Sequence, residues 1–279
     1  MLSLYRDVSF KVSKLVTSTY STSFSIAIRF LKPDIQKAIY SIYGFVRFAD
    51  EIVDTFHSFD KNRLLEKFEN DYYDAIKQGI SLNPVLNSFQ ETVKLYKIPD
   101  KLIQAFLKSM KTDLVKNDHN TKNETDEYIS GSAEAVGLMC LKVFTGGDDD
   151  LYEELKIPAR KLGSAFQKVN FLRDLKNDTE LLNRHYFHDT VGKQFHENIK
   201  EEIVRDIEND FYTSFEGLKR LPENSRLGVL IAYYYYRRLL KKIRRTPAEI
   251  LLEKRVRVSG FHKFILFFRA YIACKLKLV

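Results

Sequence analysis

Apolar side chains recur at three- and four-residue intervals along almost all of this 279-residue chain, with only 11 Gly and 6 Pro to interrupt them. Turn-dense sandwiches and barrels need many more such residues, so the pattern predicts long helices with few connections. In residues 34 to 57, Ile35, Ala38, Ile39, Ile42, Phe45, Val46, Ala49, Val53 and Phe56 share one helical face. Pro33 and Asp34 suit its start, because Pro is tolerated in the first turn and Asp favours the positive helix end. Asn83-Pro84, Ile98-Pro99-Asp100, Gly146-Gly147 and Leu221-Pro222 punctuate the chain. Thr246-Pro247-Ala248-Glu249 predicts a capping box with Thr246 as N-cap, and the polar run from Lys116 to Asp126 reads as a loop. With no repeat and no break in composition, one all-α domain over 1–279 is expected.

Composition narrows the setting. An apolar content of 44% excludes a disordered chain. Two cysteines, Cys140 and Cys274, cannot build a disulfide framework, so core packing in a reducing compartment is expected. The N-terminal residues lack the continuous apolar core of a secretory signal. The greasiest stretch, Phe264 to Cys274, carries Arg269 and is too short for a span, which needs about 20 apolar residues. A cytoplasmic protein, not secreted and able to lie against a membrane, is the expectation. The net charge of +8 includes a cluster of Arg237, Arg238, Lys241, Lys242, Arg244 and Arg245. This is either a solvated face or, joined to the greasy C-terminal segment, a surface for anionic lipid rather than nucleic acid.

Two segments carry a second, polar stripe. Tyr43, Arg47, Asp50 and Asp54 are spaced four, three and four, within about 60° of helical arc bordering the apolar face. Gly163, Gln167, Asn170, Asp174 and Asp178 repeat this within about 80°, beside Leu162, Ala165, Phe166, Val169 and Leu172. Each segment offers two carboxylates roughly 6 Å apart along its axis. A single such pair is ordinarily a solvated face. Two pairs beside apolar faces suit hard divalent cations, which take oxygen ligands and bridge carboxylates to substrate phosphates. Arg47 and Arg173 can then fork onto remaining phosphate oxygens.

Other candidates have plainer readings. Asp148-Asp149-Asp150 follows Gly146-Gly147 and suits a helix start. His185 and His188 lack a companion cluster and read as surface residues. Neither a Walker A motif nor G-x-G-x-x-G is present, so nothing supports a nucleotide-hydrolysing or Rossmann site.

Three segments resemble the squalene/phytoene synthase family. The first joins Ser21-Thr22-Ser23-Phe24 to the run from Ala38 to Asp54, and the second runs from Gly163 to Asp174, with Asp178, Arg184 and Tyr186 after it. The third is Tyr236-Arg237-Arg238-Leu239-Leu240, leading to Arg255-Val256. The similarity runs from about residue 15 to 270. Where the family more often has Asp-Asp, this chain has Asp50-Glu51. Ser130 stands where many relatives have a second Tyr, and Glu134 where they have Gly.

The resemblance implies an isoprenoid synthase-type helical bundle around a central cavity, joining two allylic diphosphates head to head. It implies that Asp50, Asp54, Asn170, Asp174 and Asp178 hold Mg²⁺, with Mn²⁺ a possible substitute. It further implies that Tyr20, Ser21, Thr22, Ser23, Tyr43, Arg47, Gln167, Arg173 and Tyr236 meet the prenyl diphosphates. Arg173 is about 100° off the carboxylate stripe, so only the resemblance places it there. The reading it favours is Mg²⁺-dependent phytoene synthesis from two geranylgeranyl diphosphates in carotenoid biosynthesis, without NADPH. The alternatives are squalene, dehydrosqualene or presqualene diphosphate synthesis from farnesyl diphosphate. A class I terpene cyclase fits less well, and a non-catalytic basic helical module has no use for four inward Asp. Oligomeric state is left open.

Overall fold

A computed structural model describes residues 1–180, 182–187 and 195–276. His188, and with it the histidine pair, lies outside the described residues. Among the described residues there are helices and no strand, with one isolated bridge between Asp118 and His185. The order is α1 (Leu2–Tyr20), α2 (Thr22–Ile28), α3 (Pro33–Asp54), α4 (Lys61–Gln78), α5 (Pro84–Tyr96), α6 (Asp100–Val115) and α7 (Lys122–Ile129). A π-helical turn (Ser130–Glu134) leads into α8 (Ala135–Thr145), followed by α9 (Asp149–Glu180) and α10 (Glu197–Lys219). The chain ends with α11 (Glu223–Arg244), α12 (Ala248–Glu253) and α13 (Gly260–Lys275).

The predicted punctuation falls at helix ends. Pro33 opens α3. The Asn83 side chain caps α5 by accepting from Val85 and Leu86 N–H. Asp148 accepts from Leu151 N–H at the start of α9, which leaves Asp149 and Asp150 at the positive end of that helix. Gly146 and Gly147 take positive φ of 62° and 95°, a conformation that favours residues without Cβ.

Three expectations need correction. Thr246 is not an N-cap: its hydroxyl donates back to the Lys242 carbonyl, and the Ala248 N–H donates to the Glu197 carboxylate instead. The polar run from Lys116 is a loop only as far as Thr121. There a true capping box forms, with Glu124 N–H donating to the Thr121 hydroxyl and Thr121 N–H donating to the Glu124 carboxylate. His185 is half-buried rather than superficial, with Nδ1 2.8 Å from Asp118.

The apolar stripe of α3 enters the core, where Phe45 stacks on Phe89 at 4.0 Å and also touches Tyr72 and Phe106. The joint of α1 with α3 and α5 is different in kind. Buried Ser9, Ser13 and Thr17 form the inner face of α1, and Gly44 comes so close that a Cβ would lie 3.1 Å from Ser13 Oγ. Each hydroxyl is satisfied, as in the 2.7 Å Ser13–Ser88 hydrogen bond, so close approach leaves no orphan donor.

α9 is the central strut, packing on α8, the π turn, α10, α11 and α12. At Gly163 the backbone of α9 meets the π turn so closely that an added Cβ would sit 2.7 Å from the Ala133 carbonyl oxygen. Backbone cannot yield cheaply there. Gly163→Ala should destabilise the fold by about 1–3 kcal/mol, read as a lowered midpoint in urea unfolding; an unchanged midpoint would refute this contact.

Candidate active site

Between α2 and α3 on one side and α8 to α11 on the other lies a cavity of about 530 Å³. Its two ends differ chemically. At the deep end, Leu141, Phe144, Leu155, Pro158, Leu218 and Leu221 enclose it; at the other, Arg47, Asp50, Arg173, Asp174, Tyr236 and Arg255 face inward. The polar stripe of α3 therefore points into a cleft from Tyr43 to Asp50, while Asp54, one turn further, does not line it. That of α9 points into it from Gly163 through Gln167 and Asn170 to Asp174.

Tyr20 and Ser21 line the cavity where α1 gives way to α2. The Arg47 guanidinium lies 4.3 Å from the Tyr20 ring centre, a cation–π contact, and pairs with Glu51 one turn along α3. Burial pushes the Tyr43 hydroxyl up to about 12 against the lowering field of Arg47, and its ring stacks on Phe24 at 5.5 Å. Tyr236 stacks on Phe166 at 4.0 Å and donates to Asn170 Oδ1 at 3.2 Å. Thr22 is exposed and Ser23 half-buried, and neither lines the cavity.

The carboxylates define the field. Asp174 is held by Arg173 through two nitrogens and by Arg255 at 2.6 Å. Asp54 accepts from Arg184 Nη1 at 2.7 Å. Asp50 and Asp178 have no hydrogen bond or ion pair of their own among the described residues. Burial first, then the charge of Asp54, pushes the Asp50 carboxyl up to about 8. Burial first, then Asp174 and Asp54, does the same to Asp178. Asp54 thus bears on a carboxyl of each helix, so the two pairs confront each other across the cleft. Among the described residues no three Asp, Glu, His or Cys side chains converge closely enough to hold an ion by themselves. The set is nevertheless all hard oxygen, with two carboxylates lacking a partner, and fits a divalent cation that completes its shell with water and phosphate oxygens.

Some members were not visible as a pattern. Arg255, between α12 and α13, reaches Asp174 across 81 residues. Arg184 joins Asp54 to Asp113, whose carbonyl accepts at 3.3 Å and whose carboxylate lies 3.8 Å away. Tyr128 donates to Asp113 Oδ2 at 2.6 Å, and its ring sits with His119, Tyr186 and Phe171 in one aromatic cluster. Burial pushes Asp113 up to about 7 although Arg184 and Tyr128 lower it. Asp113 shares its helix only with Asp100, 13 residues away, and nothing in the local spacing marks it.

A carboxyl whose pKa is raised from about 4 to about 8 by folding binds more protons folded than unfolded across that window, so it loses the fold stability as pH rises. Asp50→Asn should therefore raise the melting temperature of the ligand-free protein little at pH 5 and most near pH 8. A gain independent of pH would contradict the confrontation of carboxylates.

A family model for squalene/phytoene synthases matches residues 17–262. The chain is 25% identical over 280 aligned positions to a phytoene synthase of Arthrospira platensis, covering 89% of this chain and 88% of that one. It is 24% identical over 273 positions to a 4,4'-diapophytoene synthase of Staphylococcus haemolyticus, covering 89% and 91%. A crystal structure of a dehydrosqualene synthase with ligand superposes with a TM-score of 0.85 at 23% identity, covering 97% of this chain and 98% of that one. The squalene synthase HpnC from Alicyclobacillus acidocaldarius gives 0.74 at 19% identity, covering 87% and 95%.

Proposed function

The chain belongs to the squalene/phytoene synthase family, and from that premise we propose that it condenses two geranylgeranyl diphosphates head to head into phytoene without NADPH. As a member it is a prenyltransferase acting on prenyl diphosphates. The observation that carries the C20 reading is the depth of the cavity. Asp174 at the polar end and Leu155 at the deep end lie on the same helix, 19 residues apart, or about 28 Å of helical rise. An extended C20 chain, with single bonds of about 1.5 Å advancing about 1.25 Å each, measures about 19 Å and leaves about 9 Å for a diphosphate and its cations. A C15 chain would leave about 5 Å more of the apolar end unfilled.

Asp50, Asp54, Asn170, Asp174 and Asp178 would hold Mg²⁺, which supplies charge neutralisation to the departing diphosphate. The protein's own cations do the rest at the oxygens. Arg47, Arg173 and Arg255 each rest on a carboxylate, and a diphosphate offers the same forked geometry with more charge, so it can draw them over. Loss of diphosphate leaves an allylic cation. The second substrate's double bond attacks it, and proton loss closes a cyclopropylcarbinyl diphosphate; its own ionisation releases the second diphosphate, and rearrangement of that cation with loss of a second proton gives the hydrocarbon. The aromatic and aliphatic wall, with Phe24, Phe166 and Tyr236 near the polar end, excludes water and offers ring faces to the cations.

The test is incubation with Mg²⁺ and labelled C15 or C20 diphosphate, with and without NADPH, followed by identification of the product. The expected product is phytoene from C20 alone, unaffected by NADPH. A C30 hydrocarbon from C15 would move the assignment to the squalene or dehydrosqualene reading, and no consumption of either substrate would refute catalysis. Asp50→Ala and Asp174→Ala should each lower turnover at least 100-fold with helicity unchanged in circular dichroism. Ala159→Phe, which fills the deep end, should depress use of C20 diphosphate at least tenfold relative to C15; an unchanged ratio would show that depth does not select chain length.

A further inference from the structure

Glu253 is the last acidic residue of the chain, and Lys254, Arg255, Arg257, Lys263, Arg269, Lys275 and Lys277 follow it. α13 lies in this acid-free stretch. It rests on α11 through small residues, Ala270 and Ala273 being its buried positions. On the opposite face Phe261, Phe264, Ile265, Phe268, Ile272 and Leu276 are between 44% and 73% exposed. At 100° per residue these six fall within about 120° of arc, centred opposite Ala270. That is an ordered apolar stripe rather than scattered surface residues. Lys263, Arg269 and Lys275 on the same helix form no ion pair among the described residues.

Phe267, about 60° beyond the edge of the stripe, touches Phe268 with ring centres 5.3 Å apart and joins α13 to the α2 segment. Phe30, just beyond the end of α2, meets Phe267 with ring centres 4.4 Å apart, and both Ile26 and Phe30 are over a third exposed. The sequence from Val8 to Pro33 also lacks Asp and Glu, while carrying Lys11, Lys14, Arg29 and Lys32. Two segments distant in sequence, each with cations and no carboxylate side chain of its own, thus meet in apolar contact.

We propose that α13 and the adjoining end of α2 form a docking surface for an anionic lipid bilayer, with α13 lying in the plane of the interface. An apolar stripe with basic residues around it suits the boundary between headgroups and acyl chains. A second copy is a poorer occupant, because a self-complementary contact would set the same cations against one another. No described helix is long and apolar enough to cross the bilayer, so the contact is peripheral. The inner face of α2 gives Ala27 and Ile28 to the cavity wall, and the turn after it gives Leu31. If the proposed function holds, one helix separates the site of hydrocarbon formation from the lipid that dissolves it.

The experiment is co-sedimentation of the full chain with vesicles of phosphatidylcholine, or of phosphatidylcholine with one-third phosphatidylglycerol. The double variant Phe264→Ser/Phe268→Ser is compared in parallel, with helicity checked by circular dichroism. Binding to the anionic vesicles is expected, weakened by salt and at least tenfold lower in the variant. The variant should consume detergent-dispersed prenyl diphosphate at the parent rate. Absence of binding to anionic vesicles, or binding that the double substitution leaves unchanged, overturns the docking surface. So does a parent dimer in sedimentation that the substitution dissociates, since a second copy then covers the face. Vesicle binding without prenyl diphosphate consumption supports docking and refutes the catalytic reading instead, so the two fail separately.

Discussion

Asp50 on α3 lines the cavity and Asp178 on α9 lies one turn beyond the lining Asp174; both carboxyls are half-buried with no hydrogen bond or ion pair among the described residues, and the polar end of the cavity is organised around that deficit. Removing charge from water is unfavourable unless it is paired. Here pairing is partial: Arg184 serves Asp54, Arg173 and Arg255 serve Asp174, and Arg47 turns to Glu51. Burial and the neighbouring carboxylates push both carboxyls up to about 8, which favours proton uptake there in the ligand-free chain. A site built this way rewards a ligand that brings cations to the carboxylates and anions to the guanidiniums together. A metal-bound diphosphate has that composition.

Most of the fold was legible because helices repeat every 3.6 residues and their faces can be read from one dimension. The stripes on α3 and α9 belong to this class, and so do the starts at Pro33, Asn83 and Asp148. Arg173 shows where a helical wheel fails. Its Cβ direction lies off the stripe, but the long side chain sweeps back to Asp174 and its guanidinium enters the cavity. Residues that act across great sequence distance had no such signal. Asp113 is 71 residues from Arg184, and Arg184 is 130 from Asp54, so only the tertiary packing of α3, α6 and the segment after α9 unites them. Thr246 failed for a local reason: a hydroxyl following a helix can satisfy the preceding turn as readily as cap the next one.

The departures from the family pattern look different once placed in space. Glu51 has the reach to hold Arg47 one turn away, so the change from Asp retains charge and adds a tether for the guanidinium. Ser130 and Glu134 bound the π turn, and neither lines the cavity; Ser132, Ala133, Val136 and Gly137 do. Glu134 instead accepts from Arg160 Nε at 2.6 Å, outside the cavity. The tyrosine that does face inward here is Tyr128, fixed through Asp113 to Arg184. Its hydroxyl already donates to Asp113, and burial holds it far above the usual phenol range. It therefore serves as a neutral ring and a hydrogen-bond donor rather than as a base.

The net charge of +8 conceals a spatial separation. Acidic groups gather at one end of the cavity, whereas the stretches 8–33 and 254–279 have none. These stretches contribute α2 and α13, which meet at Phe30 and Phe267. α2 is pivotal because its two faces meet different surroundings: Ala27 and Ile28 are buried towards the cavity, while Ile26 is exposed. Gly228 on α11 lets Leu31 close the seam, since a Cβ there would come within 2.5 Å of the leucine methyl. On this side the cavity wall is one thin helix, from an acid-free stretch of sequence, with the following turn packed on a glycine. Chemistry that needs a dry interior and a product that prefers hydrocarbon impose opposite demands on that wall. A wall one helix thick, closed on α11 by the packing of Leu31 on Gly228 and one backbone hydrogen bond from Lys32 N–H to the Asn224 carbonyl, is a physical arrangement that can meet both.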